Sequence, residues 1–160
     1  MAAGETHIGQ VGGEGITIAV TPTVSASSIY AAGDCVGGSM TFANAARVSG
    51  LGGVIKNMLI DDDAGQDDEL ELWLFSEAFT APGDNAPWAA TEADLHNLVA
   101  IITTTDGAYF SAGTPSTARV EVSQRYDLAA TSMFGQLVTR GTPTYVATDD
   151  ITCILGLLRD

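Results

Sequence analysis

Basic residues are scarce in this chain. Lys56 is the only lysine, and the six Lys and Arg face twenty Asp and Glu, for a formal net charge of −14 over 160 residues. A field of that sign repels phosphate backbones, and the arginines are scattered from Arg47 to Arg159 without interleaved aromatics, which argues against a nucleic-acid partner. Cysteine is equally sparse. Cys35 and Cys153 stand far apart with no second cysteine near either, which removes redox and zinc motifs built on close pairs. They read as two small buried thiols, and the sequence leaves open whether they pair. No run approaches the roughly 20 apolar residues of a membrane helix, and Met1–Gln10 holds no basic patch leading into an apolar run, so neither membrane insertion nor an export leader is expected. Imidazole is limited to His7 and His96, no G-x-S-x-G elbow occurs, and Gly50, Gly52 and Gly53 lack the lysine of a phosphate loop. No enzyme and no cofactor are expected from these residues.

What is present is apolar and β-branched. With 46% hydrophobic and only 16% charged residues, the chain is a folding sequence despite its charge. Its first residues, 1–14, are glycine-punctuated and aperiodic and read as a flexible N-terminal arm, leaving 15–160 as a single domain. Gly15–Thr23 alternates β-branched residues and stops at Pro22, the pattern of a strand near a sheet edge. Tyr30–Gly38 is turn-like. The run from Ser39 and the run VIKNMLIDDD then read as consecutive strands joined through Gly52 and Gly53. In ELELWLF, Leu70, Leu72 and Leu74 share one face with period two.

Thr91 followed by Asp94 resembles a capping box and predicts one short helix. Leu98–Thr105 reads as a strand, with Asp106 and Gly107 making a hairpin into Ala108–Ser111. Arg119–Asp127 alternates, with Val120, Val122 and Tyr126 on one face. Met133–Thr139, Thr144–Ala147 and Ile151–Leu158 bring the total to about nine or ten short strands. The fold class is all-β with minor α: an antiparallel β-sandwich or distorted barrel.

Three groups of residues are candidates for function. Asp61, Asp62, Asp63, Asp67, Asp68 and Glu69 make an acid-rich turn, in which Asp61, Asp63 and Asp67 offer oxygen ligands for a weakly bound cation. An EF-hand is excluded, because Gly65 takes the fifth ligand place and strands flank the loop; the alternative is a solvated turn. Trp73 and Phe75 carry apolar surface onto the nominally outer face of their strand, so that face is covered or touches a partner. Trp73, Trp88, Tyr109 and Tyr126 could form a sugar-stacking platform, against the more ordinary use of aromatics in a core. His96 would matter to catalysis only if a cleft held it.

Four stretches carry a resemblance. They are YAAGDCVGGSMTFANAARVSGLGGVI (Tyr30–Ile55), the acid-rich turn with ELELWLF ending at Phe75, DNAPWAATEADLHNLVAII (Asp84–Ile102), and FGQLVTRGTPTYVATDDITCILGLLRD (Phe134–Asp160). Together they resemble the small head proteins of tailed bacteriophages, the decoration or cement proteins. The resemblance implies a non-enzymatic β-sandwich on the outer capsid surface of the virion, bound to the major capsid protein and present as a homotrimer. No catalytic residue comes with it. In that setting His7, Ile8 and Val11 of the arm, with Trp73 and Phe75, are the expected partner contacts. A tail or neck component and a carbohydrate-binding adhesion module are the alternatives.

Overall fold

The computed structural model describes residues 13–105 and 108–160. They form nine strands and one helical turn: β1 Glu14–Val20, β2 Cys35–Phe42, β3 Gly52–Asp62, β4 Leu70–Phe75, α1 Glu92–Leu95, β5 Leu98–Thr103, β6 Tyr109–Ser111, β7 Ser116–Asp127, β8 Met133–Thr139 and β9 Ile151–Arg159. The strands make two antiparallel sheets, ordered β1-β9-β3-β7-β6 and β2-β8-β4-β5. These two separate sheets decide the choice between sandwich and barrel in favour of the sandwich.

Each sheet presents one apolar face to the other, and period-two patterning supplies it. Ile55, Met58 and Ile60 of β3 and Leu155 and Leu157 of β9 meet Leu70, Leu72 and Leu74 of β4, with Met40 and Phe42 of β2 and Leu137 of β8. A fully buried side chain of this size contributes about 1.5–3 kcal/mol. Cys153 belongs to this core and Cys35 does not; both thiols are buried and free.

Several connections differ from the sequence reading. β2 ends at Phe42 and β3 starts at Gly52, in the other sheet, so these strands are neighbours in sequence only. The turn-like stretch Tyr30–Gly38 already contains the first half of β2, whose pairing with β8 breaks between Val36 and Met40. Gly37 in that bulge has φ +70, a conformation that side chains with a Cβ resist. The hairpin expected after β5 does not form. β5 pairs with β4 and β6 with β7, so the chain changes sheet there, while Asp106 and Gly107 lie outside the described residues. Thr144–Ala147 is a loop that makes one isolated bridge, Thr144 to Ile29. β1 begins at Glu14, one residue inside the segment read as the arm, and it is an edge strand as expected. At α1 both capping-box bonds are present between Thr91 and Asp94.

The outer face of the four-stranded sheet carries apolar side chains as well. Glu71, Trp73 and Phe75 of β4 point away from the core, opposite Val138, Gln136 and Phe134 of β8. Cys35 stands opposite Val138 on the next strand. Residues 76–91 fold back over this face. Phe79 and Trp88 reach Phe75 with ring centroids 4.4 and 6.2 Å away, and Trp88 lies 5.6 Å from Trp73. Backbone bonds Cys35 N to Ala86 O, Asn85 N to Cys35 O and Trp88 N to Gly33 O fasten the segment at the start of β2.

Candidate functional site

Buried or half-buried carboxylates organise the loops at the ends of the sandwich. Asp62, at the end of β3 and 2% exposed, accepts backbone N–H bonds from Ala64, Gly65, Gln66 and Asp67 at 2.8–3.2 Å. Burial nevertheless dominates and holds its carboxyl above the usual range, against the four donors that favour its charge. Gly65 in this turn has φ +60, and a Cβ there would stand 1.9 Å from the Thr114 carbonyl oxygen.

Asp84 performs the same task across the fold. It accepts from Ser25 Oγ, from Tyr30 Oη at 2.7 Å and from Gly37 N at 2.6 Å. Tyr30 is raised above its ordinary pKa, by burial first and then by its bond to Asp84. Its ring meets Tyr145 edge-on, with centroids 5.6 Å apart. Asp150 holds the 143–149 loop by accepting from Val146 N and Ala147 N at 2.6 and 2.8 Å. Gln66 Oε1 accepts from Thr144 N at 3.0 Å and joins this loop to the acidic turn.

On this braced end the 24–30 and 143–148 segments run side by side, through Val24 N to Thr148 O, Ser27 N to Tyr145 O and Tyr30 N to Pro143 O. Ile29, 71% exposed, and Val146, 76% exposed, project from them. Apolar side chains held out on pre-ordered loops are what a protein contact surface requires.

The cation candidates are not gathered into one site. Asp61 accepts from Thr117 Oγ1 at 2.8 Å, Asp67 Oδ2 from Ser111 Oγ at 3.4 Å, and Asp63 is exposed. Among the described residues no group of three or more His, Cys, Asp or Glu is arranged to hold a metal ion. The acidic turn is also more than a solvated tip, because Asp62 builds it from within.

The partner candidates on β4 need a correction. Phe75 is fully buried beneath residues 76–91 of its own chain, so it is not available to a partner. Trp73 is half-buried and donates through Nε1 to Glu71 Oε2 at 2.9 Å. His7, Ile8 and Val11 lie outside the described residues.

The sugar platform also dissolves. Trp73 and Trp88 are tilted by 59°, Tyr126 is buried and donates to Ala45 O, and Tyr109 donates to Asp68 O. His96 does line a shallow cleft of about 270 Å³, with Ser76, Gln124, Arg125 and Asp127. There Ser76 Oγ donates to the Asn97 carbonyl at 3.3 Å and Arg125 pairs with Asp127 at 3.3 Å, so neither is set against the imidazole as a catalytic pair.

Ile29, Val146, Asp84 and Asp150 were not singled out by sequence, and Asp62 was read only as one acid of the turn and not as its organiser. The D-D-A-G run at 62–65 carries the signature of an Asp-led turn and could have exposed Asp62. Asp84 reaches partners 47–59 residues away, for which no local signal exists. Compared with protein-family models, with curated proteins and with solved structures, the chain matches none of them.

Proposed function

We propose that the protein is a non-enzymatic virion component that binds the outer surface of a bacteriophage capsid, contacts the major capsid protein and stabilises the shell. The observation that supports this reading is the use of Asp62, Asp84 and Asp150 to stiffen end loops that display Ile29 and Val146. Preordered loops lower the entropy lost on docking, and many copies on a lattice multiply a modest contact. The charge distribution favours the outside of the shell. The described strands carry four of the six basic residues and only six of the twenty acids, so most of the −14 belongs to the segments outside them. Such a surface is repelled by packaged DNA and tolerated in the medium. The resemblance adds a homotrimer to the reading.

The test is to measure the protein's mass in solution by light scattering and then its cosedimentation with matching empty capsids. Saturable binding at a fixed ratio to capsid subunits is the expected result. A protein that stays in the supernatant at every concentration would overturn the reading.

A further inference from the structure

Four sheet edges exist in the sandwich, and three are protected. β6 is only three residues long. β2 is bulged, and residues 84–88 bond to its free side at Cys35 and Gly37. β5 has a register shift at Leu98–Ala100 that leaves a short straight run. Bulges, shortness and covering segments are the usual means of preventing edge-to-edge pairing. Among the described residues, β1 has none of them.

Its seven residues, EGITIAV, pair with β9 in unbroken register from Glu14↔Arg159 to Val20↔Cys153. They contain no proline, no lysine and no arginine. Among the described residues, no backbone bond other than those to β9 is made by 15–20. The same strand also borders an uncharged outer surface: Gly15, Thr17 and Ala19 on β1, then Leu158, Gly156 and Ile154 opposite them on β9.

We infer that the free edge of β1 is a pairing site for β1 of a second copy, antiparallel and centred on Thr17, joining two five-stranded sheets into one. Two features select a second copy. Full antiparallel overlap places Thr17 against Thr17, Ile16 against Ile18 and Gly15 against Ala19, so every pair is uncharged except the terminal Glu14 with Val20. The two Glu14 carboxylates then lie at opposite ends of the ladder, about 20 Å apart at 3.4 Å per residue. Arg159 and Arg47 already stand within 2.8 and 3.9 Å of each Glu14. Two chains of charge −14 repel one another, and this strand offers them a line of approach that is uncharged over 15–20.

A strand of seven residues contributes less than the roughly 800 Å² per partner of a standard interface, so pairing is concentration-dependent. Added salt, which screens the net repulsion, strengthens it. A two-fold pair of this kind is separate from the homotrimer of the capsid reading, and its test does not depend on capsids.

The experiment uses the whole chain with one substitution, Thr17→Cys, oxidised at rising protein concentration and at low and high salt. The buried Cys35 and Cys153 do not interfere. The expected result is a covalent dimer for Thr17→Cys and none for Thr80→Cys, a control in the exposed part of the 76–91 segment. Alongside it, light scattering should show the wild-type mass doubling, as concentration rises, from its value at the lowest concentration, counted in chains of 16.5 kDa. Thr17→Lys should abolish this concentration-dependent gain in mass although it reduces the net charge. Equal cross-linking at both cysteines, or a wild-type mass that never exceeds one chain, would overturn the inference. So would a concentration-dependent gain in mass that Thr17→Lys leaves unchanged.

Discussion

At the scale of single residues, carboxylates do more for this protein than its charge count suggests. Asp62 supplies acceptors to four backbone N–H groups in a turn. Asp62→Asn keeps the shape but replaces one acceptor oxygen with a donor, leaving some of those N–H groups unpaired. The expected loss is about 2 kcal/mol, read from urea unfolding; a loss below about 0.5 kcal/mol would contradict the assignment.

Glu71 provides a pH signature. Its carboxylate takes Arg140 Nε at 2.8 Å and NH2 at 2.6 Å, and Arg140, then the Trp73 indole, hold it below its ordinary value of 4.5. A carboxyl lowered in the folded state contributes stability above the unfolded value, and that contribution is lost as pH falls through the folded value. Arg140 is substantially exposed, so solvent limits the pair to about 1 kcal/mol. Arg140→Ala should therefore cost that much at pH 7 and less at a pH well below 4.5, measured by thermal unfolding at both. Equal losses at the two values would assign the effect to packing instead.

At the scale of elements, the 76–91 segment explains why the pattern of β4 ends as it does. Alternation over Leu70–Leu74 correctly identified the buried face, but Trp73 and Phe75 carried no sign of what covers them. The cover is Phe79 and Trp88, from a stretch with no periodicity of its own. Local periodicity reports which residues are buried; it does not report which distant segment buries them. The same limit produced the hairpin expected after β5: an Asp-Gly turn signal is local, whereas the choice of partner sheet is made by the core.

Removing the cover has a measurable consequence. Trp88→Ala should destabilise the fold by about 3 kcal/mol. It should also expose the thiol of Cys35, which burial first, and then Asp34 and Asp84, push up to about 11. Thiol labelling in the native state should rise at Cys35 and stay unchanged at core-buried Cys153; unchanged labelling at both would show that residues 84–88 hold without the indole.

At the scale of the whole molecule, the fold class was legible because the glycine, proline and aspartate turns and the period-two runs all point to antiparallel β structure. The strand order was not, since most connections cross between sheets. The contact surface was less legible still. Ile29 and Val146 lie far apart in sequence, neither belongs to a periodic run, and only the bond network that aligns their loops brings them to one end.

Those two residues give the capsid reading its most direct measurement: quantitative cosedimentation of wild-type protein and of the Ile29→Asp, Val146→Asp double variant with matching empty capsids. Both side chains are exposed, so the variant should keep the wild-type melting temperature within a few degrees. The expected result is saturable binding of the wild type and at least a tenfold weaker association of the variant. Equal binding by the two proteins, with both folded, would contradict the assignment of this end of the sandwich to the shell.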